Sequence, residues 1–413
     1  MADVKSFAVA PTDGLEVQVR RMSESVAYRG CKIRVMPDGH PGKGAVVGST
    51  IEFDGKVVPD TVGVDVGCRV SIFRLPGVPD FEALDRAVRK AVPAGPSVRG
   101  AECVDSRCFP YEGLACWGAM SEDERMRARL SMGSMGGGNH FIAVEVDDDT
   151  GECWLAVHCG SRSLGLKCAG YHQAVAEEAM KARRDDVYWD YKNDVRELRD
   201  AGTTDLIQGT LDEMRREVSL YEDMGMAYLD GEELDAYLGD MGLLTRWTWL
   251  NHRNIFRNVA EAYASEALSG PWDLGDFVTC QHNYVDVPNR VIRKGAISAM
   301  DGELGLVPLN MRDGMLVVRG KGNRDWNMSL PHGAGRALSR SEAFKGLTMG
   351  EYADSMAGVF STTVNESTLD EAPMAYKPWE AIADAMGPNA SIVAHLREAY
   401  NFKDDTQARR GRR

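Results

Sequence analysis

No stretch of this chain stays apolar over the roughly 20 residues that a membrane-spanning helix needs, so no span is expected. No Cys-x-x-Cys pair occurs either. The nine cysteines, Cys31, Cys68, Cys103, Cys108, Cys116, Cys153, Cys159, Cys168 and Cys280, are odd in number and lack finger spacing. That argues against a disulfide framework or a cysteine-rich zinc module, and for reduced thiols in a cytoplasmic protein. The opening Met-Ala-Asp-Val-Lys-Ser shows no charged-then-apolar leader, which points the same way. Basic residues are in deficit: 48 Lys and Arg against 62 Asp and Glu leave a net charge of -14. A protein that coats nucleic acid is expected to be basic. Any RNA or DNA must therefore meet a local basic patch on an acidic body. The single basic run, Arg409-Arg410-Gly411-Arg412-Arg413, reads as a solvated tail. Finally, no Gly-rich segment has Walker A form, and none is a clean GxGxxG opening a helix.

What is present is a 413-residue chain, 44% hydrophobic and 27% charged, with ample material for a buried core. The first 75 residues read as short strands broken by Gly and Pro, among them Cys31–Val35, Gly44–Gly48, Val57–Pro59 and Arg69–Arg74. Residues 80–93 have helical spacing. Ile142–Val146 and Trp154–His158 read as paired strands around Asp147-Asp-Asp-Thr-Gly151. Residues 171–267 read as charged amphipathic helix with breaks near Gly202, Gly225 and Gly239–Gly242. Strand character returns from 277, and 380–400 reads as helix. The expectation is α+β: one large mixed-sheet body spanning 1–413, with a helical insertion at about 171–267.

Eight histidines are few, and three are framed alike at strand edges: Asn139-His140-Phe141, Val157-His158-Cys159 and Gln281-His282-Asn283. Three neutral imidazoles from separate strands are a donor set for Zn2+ or Mn2+, although each alone also reads as a structural histidine. Asp65 and Cys68 sit three apart on a Gly-bracketed turn. A thiolate can bridge two cations while the carboxylate holds one, and paired cations suit phosphoryl chemistry. Met36–Gly44, Gly133–Gly138 and Arg319–Asn323 are Gly-rich turns able to cradle phosphate or simply to reverse the chain. In Leu330-Pro-His-Gly-Ala-Gly-Arg-Ala-Leu-Ser-Arg340, small residues leave His332 open. Arg336 and Arg340 are spaced to share a helix face. This is a setting for an imidazole that attacks a nucleotide phosphate.

Taken together, these segments resemble the RtcB-type RNA-splicing ligases. The matching runs are MPDGHPGKG at 36–44, VDVGC at 64–68, GGGNHF at 136–141 and HCGSR at 158–162. Further along come His282-Asn283, RKGA at 293–296, HGAGR with the following Ser339-Arg340, and EAPMAYK at 371–377. The resemblance implies a GTP- and manganese-dependent enzyme that joins RNA 3′-phosphate or 2′,3′-cyclic phosphate ends to 5′-hydroxyl ends. It implies one Mn2+ on Asp65, Cys68 and His140, a second on Cys68, His158 and His282, and His332 as the residue that carries GMP. It further implies nucleotide contacts from Asn139, His282, Asn283, Pro308, Asn310, Met311, His332, Gly333, Ala334, Gly335, Arg336 and Lys377. Arg162 and Lys43 are the implied RNA contacts, and an archease-like activator is a possible partner. Alternatives are an RNA-end hydrolase with the same metals and a non-catalytic RNA-binding accessory.

The chain departs from the family pattern twice. A Glu expected two residues after Phe141 is Ala143, with Glu145 two further on the same strand face as a partial replacement. A Pro-Gly-Ser-Met run reads Pro308-Leu309-Asn310-Met311, which removes a glycine's backbone freedom but keeps an amide for a phosphate or ribose.

Overall fold

The computed structural model describes residues 1–11, 13–42, 44–267, 270, 272–275 and 277–406. The basic run at 409–413 and Lys43 lie outside the described residues. Among the described residues fourteen strands follow one another: β1 (Asp3–Ser6), β2 (Lys32–His40), β3 (Val47–Glu52), β4 (Arg69–Leu75), β5 (Phe141–Asp147), β6 (Cys153–Cys159) and β7 (Val278–Gln281), then β8 (Asn283–Asp286), β9 (Val291–Lys294), β10 (Ala296–Ser298), β11 (Leu304–Asn310), β12 (Gly314–Gly320), β13 (Ser329–Pro331) and β14 (Ala390–Phe402). They form three sheets. A seven-stranded sheet runs β11-β12-β14-β5-β6-β4-β7, a five-stranded sheet β1-β2-β3-β9-β8, and β10 pairs with β13. Every pairing in the largest sheet is antiparallel. With helices packed around it, the architecture is the expected α+β.

Local sequence explains most elements. Helix Phe81–Ala91 starts where the Asp80 side chain accepts from the Ala83 N–H at 2.9 Å, and it buries Leu84, Ala87 and Val88. The β5–β6 hairpin closes where Asp147 Oδ1 accepts from Asp149 N–H at 2.9 Å. Val57 forms only an isolated bridge to Leu229, not a strand. Met36–His40, read from sequence as part of a turn, is instead the buried end of β2, where the pairing with β3 is irregular.

The helical stretch begins at Arg162, not 171: helices cover Arg162–Asp200, Ile207–Ser219 and Gly231–Glu266. Gly202 and Gly225 do fall between helices, but Gly239 and Gly242 lie inside the last one. A glycine there costs about 1 kcal/mol against alanine. Burial outweighs it, because Leu244, Trp247, Ile255, Phe256 and Val259 are all interior, and each apolar side chain of this kind contributes about 1.5–3 kcal/mol. That helix is therefore core rather than solvated face.

The last segment corrects the sequence expectation most clearly. Helix Trp379–Met386 ends before Gly387-Pro388, and 390–402 is a strand. Ala-His-Leu-Arg-Glu-Ala has helix-favouring composition. Yet β14 lies between β12 and β5 and satisfies its backbone on both sides, so tertiary pairing overrides propensity. No helix among the described residues is long and apolar enough to cross a membrane.

Candidate active site

The antiparallel order β5-β6-β4-β7 puts four donors at one sheet end. His140 immediately precedes β5, His158 is the penultimate residue of β6, Cys68 immediately precedes β4, and His282 immediately follows β7. The register aligns them: His158 sits opposite both Phe141 and Val70, while Arg69 sits opposite Cys159 and Gln281. At His282 the chain leaves one sheet for another, and its N–H donates to the Cys68 carbonyl at 3.0 Å. The Asp65–Cys68 turn closes with a Cys68 N–H to Asp65 carbonyl bond of 3.2 Å. Gly160 is required here, because a Cβ at that position would overlap the Asp65 carboxylate.

The donors form a chain with the thiol at its middle. Asp65 Oδ2 lies 2.8 Å from His140 Nε2, which is 3.5 Å from Cys68 Sγ. Cys68 Sγ is 3.3 Å from His158 Nε2, itself 3.3 Å from His282 Nε2. Burial and then neighbouring imidazoles push His158 and His282 well below the usual histidine range, so both rings are neutral, as ligation requires. Burial raises the Asp65 carboxyl, but His140 outweighs it and holds Asp65 down. Burial, then Asp65, pushes the Cys68 thiol well up. A cation is what would favour its thiolate. The Cys/His/Asp donor set, buried and neutral at nitrogen, fits one or two borderline divalent cations.

His332 follows β13 and stands at the far end of this chain, its ring centroid 5.0 Å from that of His282. Its Nδ1–H donates to Asp38 Oδ2 at 2.7 Å, leaving Nε2 for a reacting partner. Asp38 is fully buried on β2. In the sequence Asp38 stands out only as one letter of a glycine-rich, family-matching run, with no role of its own. Gly335 (φ +72°) lets the loop after His332 close on Asp38, where a Cβ would lie 3.0 Å from the Asp38 Cα.

A cavity of about 820 Å3 opens over these groups. It is lined by Asp65, Cys68, His158, His282 and His332, and by the expected Asn139, Asn283, Pro308, Asn310, Met311, Gly333, Ala334, Gly335 and Arg336. His140 is buried just beneath, bonded to Asp65. Asn283 braces the site: its Nδ2 donates to the Asp65 carbonyl at 3.2 Å and its Oδ1 accepts from Gly295 N–H at 2.8 Å. Asn310 is occupied differently from expectation. Its Oδ1 accepts from the Arg312 and Asp313 N–H groups, both at 3.0 Å, and so caps the turn after β11.

One wall of the cavity is cationic. Arg336 and Arg340 do not share a helix face as expected. Arg336 lies in a bridge to Tyr376, and the helix begins only at Arg340, capped by Ser339. Both arginines instead converge on buried Glu371, at 3.4 and 2.7 Å, with Lys403 at 3.0 Å and the Tyr376 hydroxyl at 2.7 Å. Burial alone would raise the Glu371 carboxyl, but Lys403 and Arg340 hold it at about 2. Arg340 also pairs with Asp370. Three cations against two carboxylates leave this wall net positive, on a chain that is acidic as a whole. Glu371 was legible only as a letter in the EAPMAYK run.

Four of the expected features are not brought to the cavity. Lys377 Nζ donates to the carbonyls of Val9 and Gly39, at 2.9 and 3.0 Å, behind the wall. Arg162 Nε donates to Ser134 Oγ at 3.1 Å and its terminal nitrogen to the Gly95 carbonyl, so it braces the Gly133–Gly138 loop. The 319–323 turn does not line the cavity. Glu145 does not line it either, although its cross-strand neighbour Glu398 does.

Glu145 and Glu398 face each other fully buried, and this has a pH consequence. Burial, then the neighbouring carboxyl, raises Glu145 well above its usual range, and burial pushes Glu398 up to about 8. Both folded values exceed the free carboxyl value of about 4.3. The pair's stabilising contribution is therefore complete in acid below that value and lost as pH rises through about 8. Urea midpoints measured between pH 5 and 9 are expected to fall with pH, and to fall less steeply in Glu145→Gln. An equal slope in the variant would show that this pair does not set the pH dependence.

A carboxylate-held imidazole beside a buried run of thiol, imidazole and carboxylate donors, under a net-positive wall, has the constitution of a cation-assisted phosphate-chemistry centre. The family profile described as tRNA-splicing ligase RtcB matches residues 18–109 and 114–404. The chain belongs to the RtcB family. It is 29% identical over 400 residues to the RNA-splicing ligase RtcB of Escherichia coli K12, covering 90% of each chain. It is 24% identical over 430 residues to the tRNA-splicing ligase RtcB of Aeropyrum pernix, covering 84% of this chain and 82% of that one. It is also 24% identical over 438 residues to that of Thermococcus kodakarensis, covering 88% and 86%.

Proposed function

We propose that this chain is a GTP- and Mn2+-dependent RNA ligase. It joins 3′-phosphate or 2′,3′-cyclic phosphate ends to 5′-hydroxyl ends in RNA repair or tRNA splicing. Asp65, Cys68 and His140 would hold one cation and Cys68, His158 and His282 the second. Bound there, the cations supply neutralisation of phosphate charge. His332 Nε2 attacks the α-phosphorus of GTP, forming an N–P bond as the bond to pyrophosphate breaks. Asp38 keeps the proton on Nδ1 and stabilises the charge that develops on the ring. A cyclic end is first hydrolysed to a 3′-phosphate. An oxygen of that phosphate then takes GMP from His332, giving RNA-pp-G and the free imidazole. The 5′-hydroxyl attacks the RNA phosphorus, forming the phosphodiester and releasing GMP. Arg336, Arg340 and Lys403 present positive charge to the phosphates.

The observation that carries this reading is His332 itself. It is bonded through Nδ1 to Asp38 and stands beside His282 at the end of the donor chain. The printed names of the relatives, RNA-splicing and tRNA-splicing ligases, support it. The test is sealing of a 2′,3′-cyclic-phosphate RNA to a 5′-hydroxyl RNA with GTP and Mn2+, with α-labelled GTP to follow label onto the protein. End trimming without joining or labelling would leave the hydrolase, and end-independent RNA binding alone would leave the accessory.

A further inference from the structure

Two groups of Cys, His and acidic residues among the described residues bring their donor atoms within 4.8 Å of one another. One is at the cavity. The other, Cys116, Cys168 and Asp240, lies in the helical layer, and the proposed reaction does not use it. Cys116 sits in the short turn Ala115–Ala119, Cys168 in helix Arg162–Asp200 and Asp240 in helix Gly231–Glu266. All three are buried. Cys168 Sγ lies 3.4 Å from Asp240 Oδ2, and His172 Nε2, one helical turn beyond Cys168, lies 2.8 Å from the same oxygen. The thiol, imidazole and carboxylate spacings match those of the cavity group, where the corresponding distances run from 2.8 to 3.5 Å.

From this geometry we infer a second, structural metal site: a tetrahedral Zn2+ held by Cys116, Cys168 and Asp240, with His172 as fourth ligand. Zinc at its usual bond lengths sets donor atoms about 3.3–3.8 Å apart, a spacing that Cys116, Cys168 and Asp240 reach with small side-chain shifts, while His172 must swing from the Asp240 carboxylate toward the ion. The four donors are closed off from solvent, as structural zinc requires and catalytic zinc does not. Zinc binds cysteine as thiolate, so each of the two sulfur ligands gives up its proton to solvent as the ion enters. Burial acts to raise Asp240, but His172 and the Ala115 N–H hold it down, so its carboxylate is already charged for the ion.

The position gives the ion a role. Ala169, Gly170 and Gln173 line the cavity, and they alternate along one helix with Cys168 and His172, which face the opposite way. The ion would tie this wall helix, at its back, to the helix carrying Asp240 and to the 115–119 turn.

The test uses the full chain carrying Cys68→Ala, which removes the shared thiol of the cavity group, and reads the change in zinc content that Cys168→Ser makes in that background. Grown with zinc and purified with reductant, this protein is expected to hold about one equivalent of zinc, released only by strong chelators with a drop in melting temperature. Adding Cys168→Ser should lower zinc retention at least tenfold. Zinc content unaffected by Cys168→Ser would overturn the proposal, and so would metal-free protein in which Cys116 and Cys168 are found joined as a disulfide. If the double variant does not fold, Co2+ titration of the chelator-stripped Cys68→Ala protein decides. A tetrahedral cobalt spectrum with thiolate charge transfer and two protons released per ion supports the site; its absence overturns it.

Discussion

Alanine in place of His332 is expected to give a folded protein that still binds Mn2+ but takes up no label from α-labelled GTP. Among the described residues the side chain has one polar partner, Asp38, and none of the five metal-type donors depends on it. Structural loss should therefore be small, while loss of a nucleophile lowers turnover by on the order of 10^4–10^6-fold. Asp38→Asn separates attack from orientation. The amide can no longer accept strongly from Nδ1–H or balance the ring's charge, so guanylylation should fall by about 10^2–10^4-fold with GTP binding little changed. Residual sealing near the normal rate in His332→Ala would show that guanylate is carried elsewhere.

The second large effect is expected at Cys68. Its sulfur lies within reach of His140 and His158 at once, so Cys68→Ala removes a donor from both proposed cation positions together. Guanylylation and sealing should both drop by at least about 10^3-fold, a loss of more than 4 kcal/mol in barrier lowering. Stoichiometric Mn2+ binding, measured by equilibrium dialysis, should disappear with them. His282→Ala, which removes a donor at one end of the chain, should leave one Mn2+ bound. Equal Mn2+ stoichiometry in wild-type and Cys68→Ala protein would refute the bridging thiol.

How much of this was legible beforehand varies by residue. The strand-edge framing of His140, His158 and His282 marked them as candidates, because each sits where an antiparallel strand meets a loop. The Gly-bracketed Asp65–Cys68 turn was equally readable, since both glycines adopt the left-handed backbone that only glycine enters freely. Asp38 and Glu371 were hidden for a different reason. Each works through a partner distant in sequence, Asp38 with His332 and Glu371 with Arg340 and Lys403, and local pattern carries no sign of such pairing. Lys377 and Arg162 have the right residue type at motif positions. In the fold, though, their charges meet main-chain carbonyls instead of the cavity.

The sequence by itself determined the inventory: an acidic body, few histidines placed at strand ends, a thiol and carboxylate three apart, and glycines where the chain passes close to Asp65 and Asp38. It settled local elements where one signal dominated, as at the Asp80-capped helix and the β5–β6 hairpin. Only the tertiary structure decided which side chains meet. Residues 390–402 became a strand because β12 and β5 stand on either side of them, and the two arginines after His332 share a carboxylate, not a helix face. The physical reason is the same in each case. Propensity and spacing act over a few residues, whereas sheet pairing and the neutralisation of buried charge are settled between segments tens to hundreds of residues apart.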